Sequence, residues 1–122
     1  MSDELKQTPF SSSYPDGVVE WIDIFGYAVP LTWGDPGVEY AAVRNQAAAF
    51  EFSMLLKWDV EGKDALQTVN NIFSRDISEM KPGTIAYGVV VSETGTMVDD
   101  CTVFVYGPEH VRIFGANPMV GD

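Results

Sequence analysis

Two adjacent carboxylates, Asp99 and Asp100, open an apolar run that follows the turn-like stretch Glu93-Thr94-Gly95-Thr96. Charged residues are poor strand formers and neighbouring like charges repel, so the pair needs a reason. A carboxylate held at the start of a strand can move a proton or accept hydrogen bonds from a ligand. Side-chain alternation along the run assigns the faces. Val98, Asp100, Thr102, Phe104 and Tyr106 point one way. Met97, Asp99, Cys101, Val103 and Val105 point the other way, and this second set is apolar after Asp99 and reads as core. Opposite faces keep Asp99 from sharing a proton with Asp100. The first face carries a carboxylate, a hydroxyl and two aromatic rings in one row. Such a row can line a pocket for a flat heterocycle with a polar edge. It is also what a solvent-facing strand side carries, and the pattern alone leaves both readings open.

The other chemistry-bearing residues are isolated. His110 is the single histidine, with no Cys or His near it in sequence, so it reads as structural or surface and no metal site is expected. Any Ser-His-Asp triad would have to use that residue. Cys101 faces the presumed core and reads as a buried, inert thiol. Gly62 and Gly83 are turn glycines without a phosphate-cradling pattern. Trp21, Trp33 and Trp58 read as packing residues, given the area each ring can bury.

The elements that must position the row follow from periodicity and breakers. Residues 1–16, with a Ser run and two prolines, read as a flexible tail laid over the surface by Phe10 and Tyr14. Val18 to Ile24 reads as a strand, and Gly26-Tyr27 as a turn into Ala28 to Leu31, where Pro30 implies an edge or an irregularity. Asp35 before Pro36 is a helix start, since the carboxylate can cap free amides and proline suits the first helical position. That predicts a helix from Pro36 to Ala49 with Tyr40, Val43 and Ala47 on one face. Leu55 to Val60 reads as a strand. Gly62-Lys63-Asp64 opens a second helix carrying Leu66, Val69, Ile72 and Phe73. Ile85 to Val91, Met97 to Tyr106 and His110 to Phe114 form an antiparallel meander joined by tight turns. The expected fold is α+β, an antiparallel sheet with two helices packed on one side, in one domain over 17–122.

Composition bounds the partners. The chain has 122 residues with seven Lys+Arg against eighteen Asp+Glu, a net charge of −11. Nucleic acid and anionic membrane surfaces need clustered cations, so neither is an expected partner. No stretch approaches the roughly 20 apolar residues of a spanning helix, and no signal peptide is read at the start. One cysteine cannot form an intramolecular disulfide, which fits the cytoplasm.

An ordered set of short motifs adds a resemblance. Ala42-Val43-Arg44, Phe50-Glu51-Phe52-Ser53, Val60-Glu61-Gly62-Lys63-Asp64-Ala65, Arg75-Asp76-Ile77-Ser78, Lys81-Pro82-Gly83, Ala86-Tyr87, Glu93-Thr94-Gly95 and Val98-Asp99-Asp100 occur in order. From Gly26 to about Asn117 the chain resembles the start of the glycine-cleavage T-protein (aminomethyltransferase) family. No single motif is specific, but the ordered set with its spacing is. The resemblance implies a tetrahydrofolate-dependent one-carbon transferase, with folate and a small one-carbon donor as ligands. It implies Asp100 as the catalytic carboxylate at the reacting edge of tetrahydrofolate. It implies Tyr87 beside the pterin, with Thr102 and Phe104 at the next pocket-facing positions. Asp100, Tyr87, Thr102 and Phe104 are therefore the expected cofactor-binding residues.

The departures are specific. The family's His-Met-Gly after the serine matching Ser53 is replaced by Met54-Leu55-Leu56, and its pterin-contacting asparagine by Phe114. Family enzymes are several-fold longer, and further pocket residues are expected outside this chain. An O- or S-demethylase of the family and a non-catalytic folate-binding or assembly module both stay open. So does a homodimer with shared folate pockets, as in a related domain of a tRNA-modifying GTPase. Trp21, Trp33, Phe50 and Phe52 are the candidates for that interface.

Overall fold

A computed structural model describes residues 5–116. The elements are β1 (Lys6–Gln7), β2 (Glu20–Ile24), β3 (Tyr27–Thr32), α1 (Pro36–Asn45), β4 (Leu56–Glu61), α2 (Ala65–Ile72), β5 (Thr84–Val91), β6 (Met97–Gly107) and β7 (His110–Gly115). They divide into two compact units, with the boundary between Met54 and Leu55. The boundary falls inside the span 17–122 expected as one domain. The α+β class holds, with two sheets in place of one and one helix in each unit.

The first unit is a three-stranded sheet in the order β1-β3-β2, together with α1. Phe25 and Gly26 both have positive φ, 52° and 80°, and link Ile24 directly to Tyr27. That two-residue turn twists with the flanking strands, and Asp23 Oδ1 accepts from Gly26 N at 2.8 Å to hold it. β3 is the middle strand, yet β1 reaches only Tyr27 and Ala28. Pro30 therefore lies beyond the second ladder, where its missing N–H is harmless.

The segment read as a tail is partly built into this unit. Lys6–Gln7 pairs in parallel with β3, and Thr8 is buried. Thr8 Oγ1 shares a 2.6 Å hydrogen bond with Tyr14 Oη, and the Tyr14 ring lies 6.0 Å from that of Trp21. Tyr14 supplies the anchoring, while Phe10 stays exposed.

Asp35 caps α1 as expected, accepting from Gly37 N and Val38 N at 2.9 and 3.1 Å. Glu39 in the first turn accepts from Thr32 Oγ1 and Trp33 N, tying the helix to the end of β3. The helix stops at Asn45 and leaves Ala47 outside it. None of its residues is buried, so propensity without packing has to sustain it, and that rarely carries a helix further.

The second unit is an antiparallel sheet in the order β4-β7-β6-β5 with α2 on one face. Val69 of α2, with Phe73 and Ile77 after it, closes a core over Ala86, Val90, Cys101, Val103, Val105, Val111 and Ile113. Gly62 N bonds Glu109 O, and Leu66 N bonds Pro108 O, so the β6–β7 turn receives the start of α2. Asn70 Oδ1 accepts from Ile77 N at 2.7 Å and fixes the chain leaving the helix. Burial of an apolar face on each layer is the driving term here.

Candidate functional site

β6 alternates strictly from Asp99 to Val105. Asp99, Cys101, Val103 and Val105 are buried, and Asp100, Thr102 and Phe104 are on the opposite face. From Asp100 onward the sheet's open face therefore carries the row read from the sequence. Val98, assigned to that row by alternation, instead packs against the core, because a bulge between Val90 and Val91 pairs them with Asp99 and Met97 and breaks the period there.

Registration with β5 pairs Tyr87 with Thr102, and Val89 with Asp100. Tyr87 is thus the diagonal neighbour of Asp100, within reach of a long aromatic side chain. Its hydroxyl donates to Asp100 Oδ2 at 2.5 Å. The bond to Asp100 and the nearby negative charge raise the Tyr87 phenol above its ordinary pKa. On the other side, registration with β7 pairs Thr102 with Phe114 and Phe104 with Arg112. The Phe104 and Phe114 rings meet at 4.7 Å and 49°, a tilted aromatic pair. Lys57 Nζ lies 5.9 Å from the Phe114 ring centroid. The structure thus brings Tyr87, Asp100, Thr102 and Phe104 to one open surface, with Phe114 beside them.

Beneath this face, Asp99 Oδ2 accepts from Ala116 N at 2.8 Å and abuts Gly115, where a Cβ would collide with it. The buried Cys101 thiol is pushed up to about 11, chiefly by desolvation, with Asp99 and Asp100 adding to it. It stays protonated at neutral pH and offers no nucleophile.

A second polar group on the open face was not read from the sequence. Arg112 binds Asp59 through both ends of its fork, at 2.8 and 2.7 Å, and His110 Nε2 lies 2.8 Å from Asp59 Oδ1. Mainly through the Arg112 bonds, the Asp59 carboxyl is held down at about 2. The Tyr106 ring lies 4.6 Å from the His110 ring. His110 and Arg112 at period two opposite a strand carrying Asp59 was the available signal. What was missing was the register that sets Asp59 directly across from Arg112.

Among the described residues no group of three or more His, Cys, Asp or Glu could hold a metal ion. No helix among them is long and apolar enough to cross a membrane. A shallow depression of about 210 Å³, lined by Lys63, Leu66, Gln67, Ser78 and Pro108, involves α2 and not the open face.

The family profile of the GCVT N-terminal domain matches residues 16–119, and the chain belongs to that family. It is 33% identical over 104 residues to an aminomethyltransferase of Caldanaerobacter subterraneus, covering 85% of this chain and 28% of the relative. It is 32% identical over 108 residues to one from Thermoanaerobacter, covering 88% and 29%. A third, from Bordetella avium, is 28% identical over 114 residues, covering 93% and 31%. The chain thus spans about three tenths of the length of the curated relatives it matches. The crystal structure of the glycine cleavage system aminomethyltransferase T from Bartonella henselae superimposes with a TM-score of 0.75. Identity there is 21%, with 96% of this chain and 33% of that one covered. The likeness shows that the two share a fold.

Proposed function

We propose that the open face of the second unit is the N-terminal part of a tetrahydrofolate site in a one-carbon transferase resembling aminomethyltransferase. The observation that carries this reading is the row Tyr87–Asp100–Thr102–Phe104 on one accessible sheet face. A flat heterocycle with N–H groups along one edge fits such a row: rings offer stacking area, and Asp100 accepts from the polar edge. Bound tetrahydrofolate would receive the one-carbon unit. Asp100 would hold or take a proton at the reacting nitrogen, which must be a free nucleophile. Thr102 would hydrogen-bond the ring edge, and Phe104 would exclude water along one side. The donor, a small molecule with the one-carbon unit on nitrogen, oxygen or sulfur, meets residues that the longer relatives carry elsewhere.

The second reading within the family is a demethylase or a non-catalytic folate-binding module. Phe114 favours it, because the ring tilted against Phe104 stands where family aminomethyltransferases resemble one another in carrying an amide. Two further features belong to the proposal. A cytoplasmic setting suits a chain whose one cysteine is buried and unpaired. A two-fold homodimer would cover the exposed Trp21, Phe50 and Phe52. Titration of the chain with tetrahydrofolate against a folate-free control tests the reading: saturable binding supports it, and its absence overturns it. Folate binding without turnover of any donor by a protein containing this chain would select the module over the enzyme.

A further inference from the structure

We propose that Tyr87 is a positioning residue that acts through Asp100: its hydroxyl holds Oδ2 and presents the other carboxylate oxygen to a ligand N–H on the open face. The inference rests on the folate reading above and goes beyond it, assigning Tyr87 a role other than contact with the ligand.

The geometry is specific. Tyr87 is exposed on β5, and an exposed tyrosine ordinarily has water as its partner. Here the phenol lies diagonally across the β5–β6 ladder and ends 2.5 Å from Asp100 Oδ2. The acceptor is a carboxylate, so the bond is charge-assisted and short. Among the described residues, no protein donor is recorded at Asp100 Oδ1. A carboxylate on a flat strand face swings freely about its side-chain torsions. One oxygen tied down removes that freedom before a ligand arrives and reduces the ordering cost of binding.

The base of Tyr87 is itself held. Its carbonyl oxygen accepts from Arg75 Nη1 at 3.1 Å. Two residues on, Val89 bonds Ser74 through both its N–H and its carbonyl. The outer edge of β5 is therefore braced at the positions that set the phenol's direction. Charged and titratable groups near the pair are few. Arg75 lies on the β5 edge, and Asp99 and Cys101 sit on the far face of β6. Across β6, Arg112 of β7 is committed to Asp59 of β4. Lys57 of β4 reaches the same face, with its Nζ 5.9 Å from the Phe114 ring centroid.

Two measurements on the full chain decide the matter. First, the Tyr87 phenol is titrated by NMR of ¹³C-labelled tyrosine, with the resonance assigned through Tyr87→Phe. In Asp100→Ala it should deprotonate at lower pH than in the unchanged chain. An unchanged titration means the bond does not form, and the inference fails. Second, tetrahydrofolate affinity is measured in a double-mutant cycle. Tyr87→Phe keeps the ring and loses the donor. It should weaken binding roughly 10-fold when Asp100 is present, the size expected for a hydrogen bond to a charged group. It should change binding by no more than about 2-fold in the Asp100→Ala background, because a residue acting through Asp100 has nothing left to act on. Equal losses in both backgrounds would show that Tyr87 contacts folate on its own account. No loss in either would show that it does nothing; both results overturn the inference and leave the folate reading standing. An unchanged chain that binds no tetrahydrofolate overturns both together.

Discussion

Asp99 and Asp100 are consecutive in sequence and occupy opposite faces of β6. Asp99 is buried and bonded to Ala116 N, whereas Asp100 is exposed and bonded to the Tyr87 hydroxyl. A strand's two-residue period turns a pair of like carboxylates into one structural and one accessible group.

The first prediction separates them by stability and by rate. Asp99→Ala leaves the Ala116 amide without its acceptor and should cost about 1–3 kcal/mol in denaturant unfolding. Asp100→Asn should leave the unfolding midpoint where it is. In a complete protein containing this chain, Asp100→Asn should slow one-carbon transfer by at least about 100-fold, the usual size of a positioned acid–base contribution. Asp99→Asn should slow it much less. Equal effects on rate would mean that the wrong aspartate has been assigned.

Close packing under the open face gives the second prediction. A Cβ at Gly115 would collide with Asp99 Oδ2 and stand 3.2 Å from Trp58, and one at Gly88 would stand 2.6 Å from Phe73 Cζ. Neither glycine has a positive φ, so the constraint is space alone. Gly115→Ala and Gly88→Ala should each cost about 1–3 kcal/mol, the range for overpacking a filled core. Wild-type midpoints for both in urea would show that these contacts give way freely.

Acid and alkali provide the third. The Asp59 carboxyl lies near 2 in the folded chain, below its ordinary value of 3.8, so its contribution is present above about 4. It is lost as the pH falls through 4 towards 2, because the unfolded chain then binds the proton first. Arg112→Gln should flatten that part of the acid-unfolding curve. The Cys101 thiol works at the other end. Its folded value near 11 exceeds the unfolded 9, so stability should fall as the pH rises from about 9 to 11. Cys101→Val should remove that alkaline slope. A curve unchanged by either substitution contradicts the corresponding assignment.

The fourth concerns assembly. The Phe50 and Phe52 rings stack on one another at 6.5 Å while both stay exposed. Light scattering at micromolar concentration and moderate salt should give twice the chain mass, with Phe50→Ser and Phe52→Ser shifting it towards the monomer. Salt matters, since −11 per chain opposes close approach when unscreened. A monomer mass for the unchanged chain ends the dimer proposal.

What could be read from the sequence follows the reach of local rules. The β6 faces were legible from Asp99 onward because alternation needs only the strand itself, and the Asp35 cap because it acts within one turn. The first hairpin was legible as a turn, read at Gly26-Tyr27, one residue past the Phe25–Gly26 pair that forms it. The diagonal bond from Tyr87 to Asp100 needs a register, which is set between strands. The Asp59–Arg112–His110 group joins residues 51 and 53 positions apart, beyond any local pattern. The end of α1 at Asn45 follows from a lack of tertiary packing, which an alanine-rich segment does not reveal. The division into two units was hidden for the same reason: only pairing shows that β3 and β4 belong to different sheets.

The central claim is that tetrahydrofolate meets the open face of the second unit, and chemical-shift mapping tests it most directly. Adding tetrahydrofolate to the isotope-labelled chain should move the resonances of Tyr87, Asp100, Thr102 and Phe104 together, saturating along one binding curve. Asp100→Ala should weaken that curve. Shifts confined to Lys63, Leu66, Gln67, Ser78 and Pro108, around the depression beside α2, would contradict the account, as would a spectrum that tetrahydrofolate leaves unchanged.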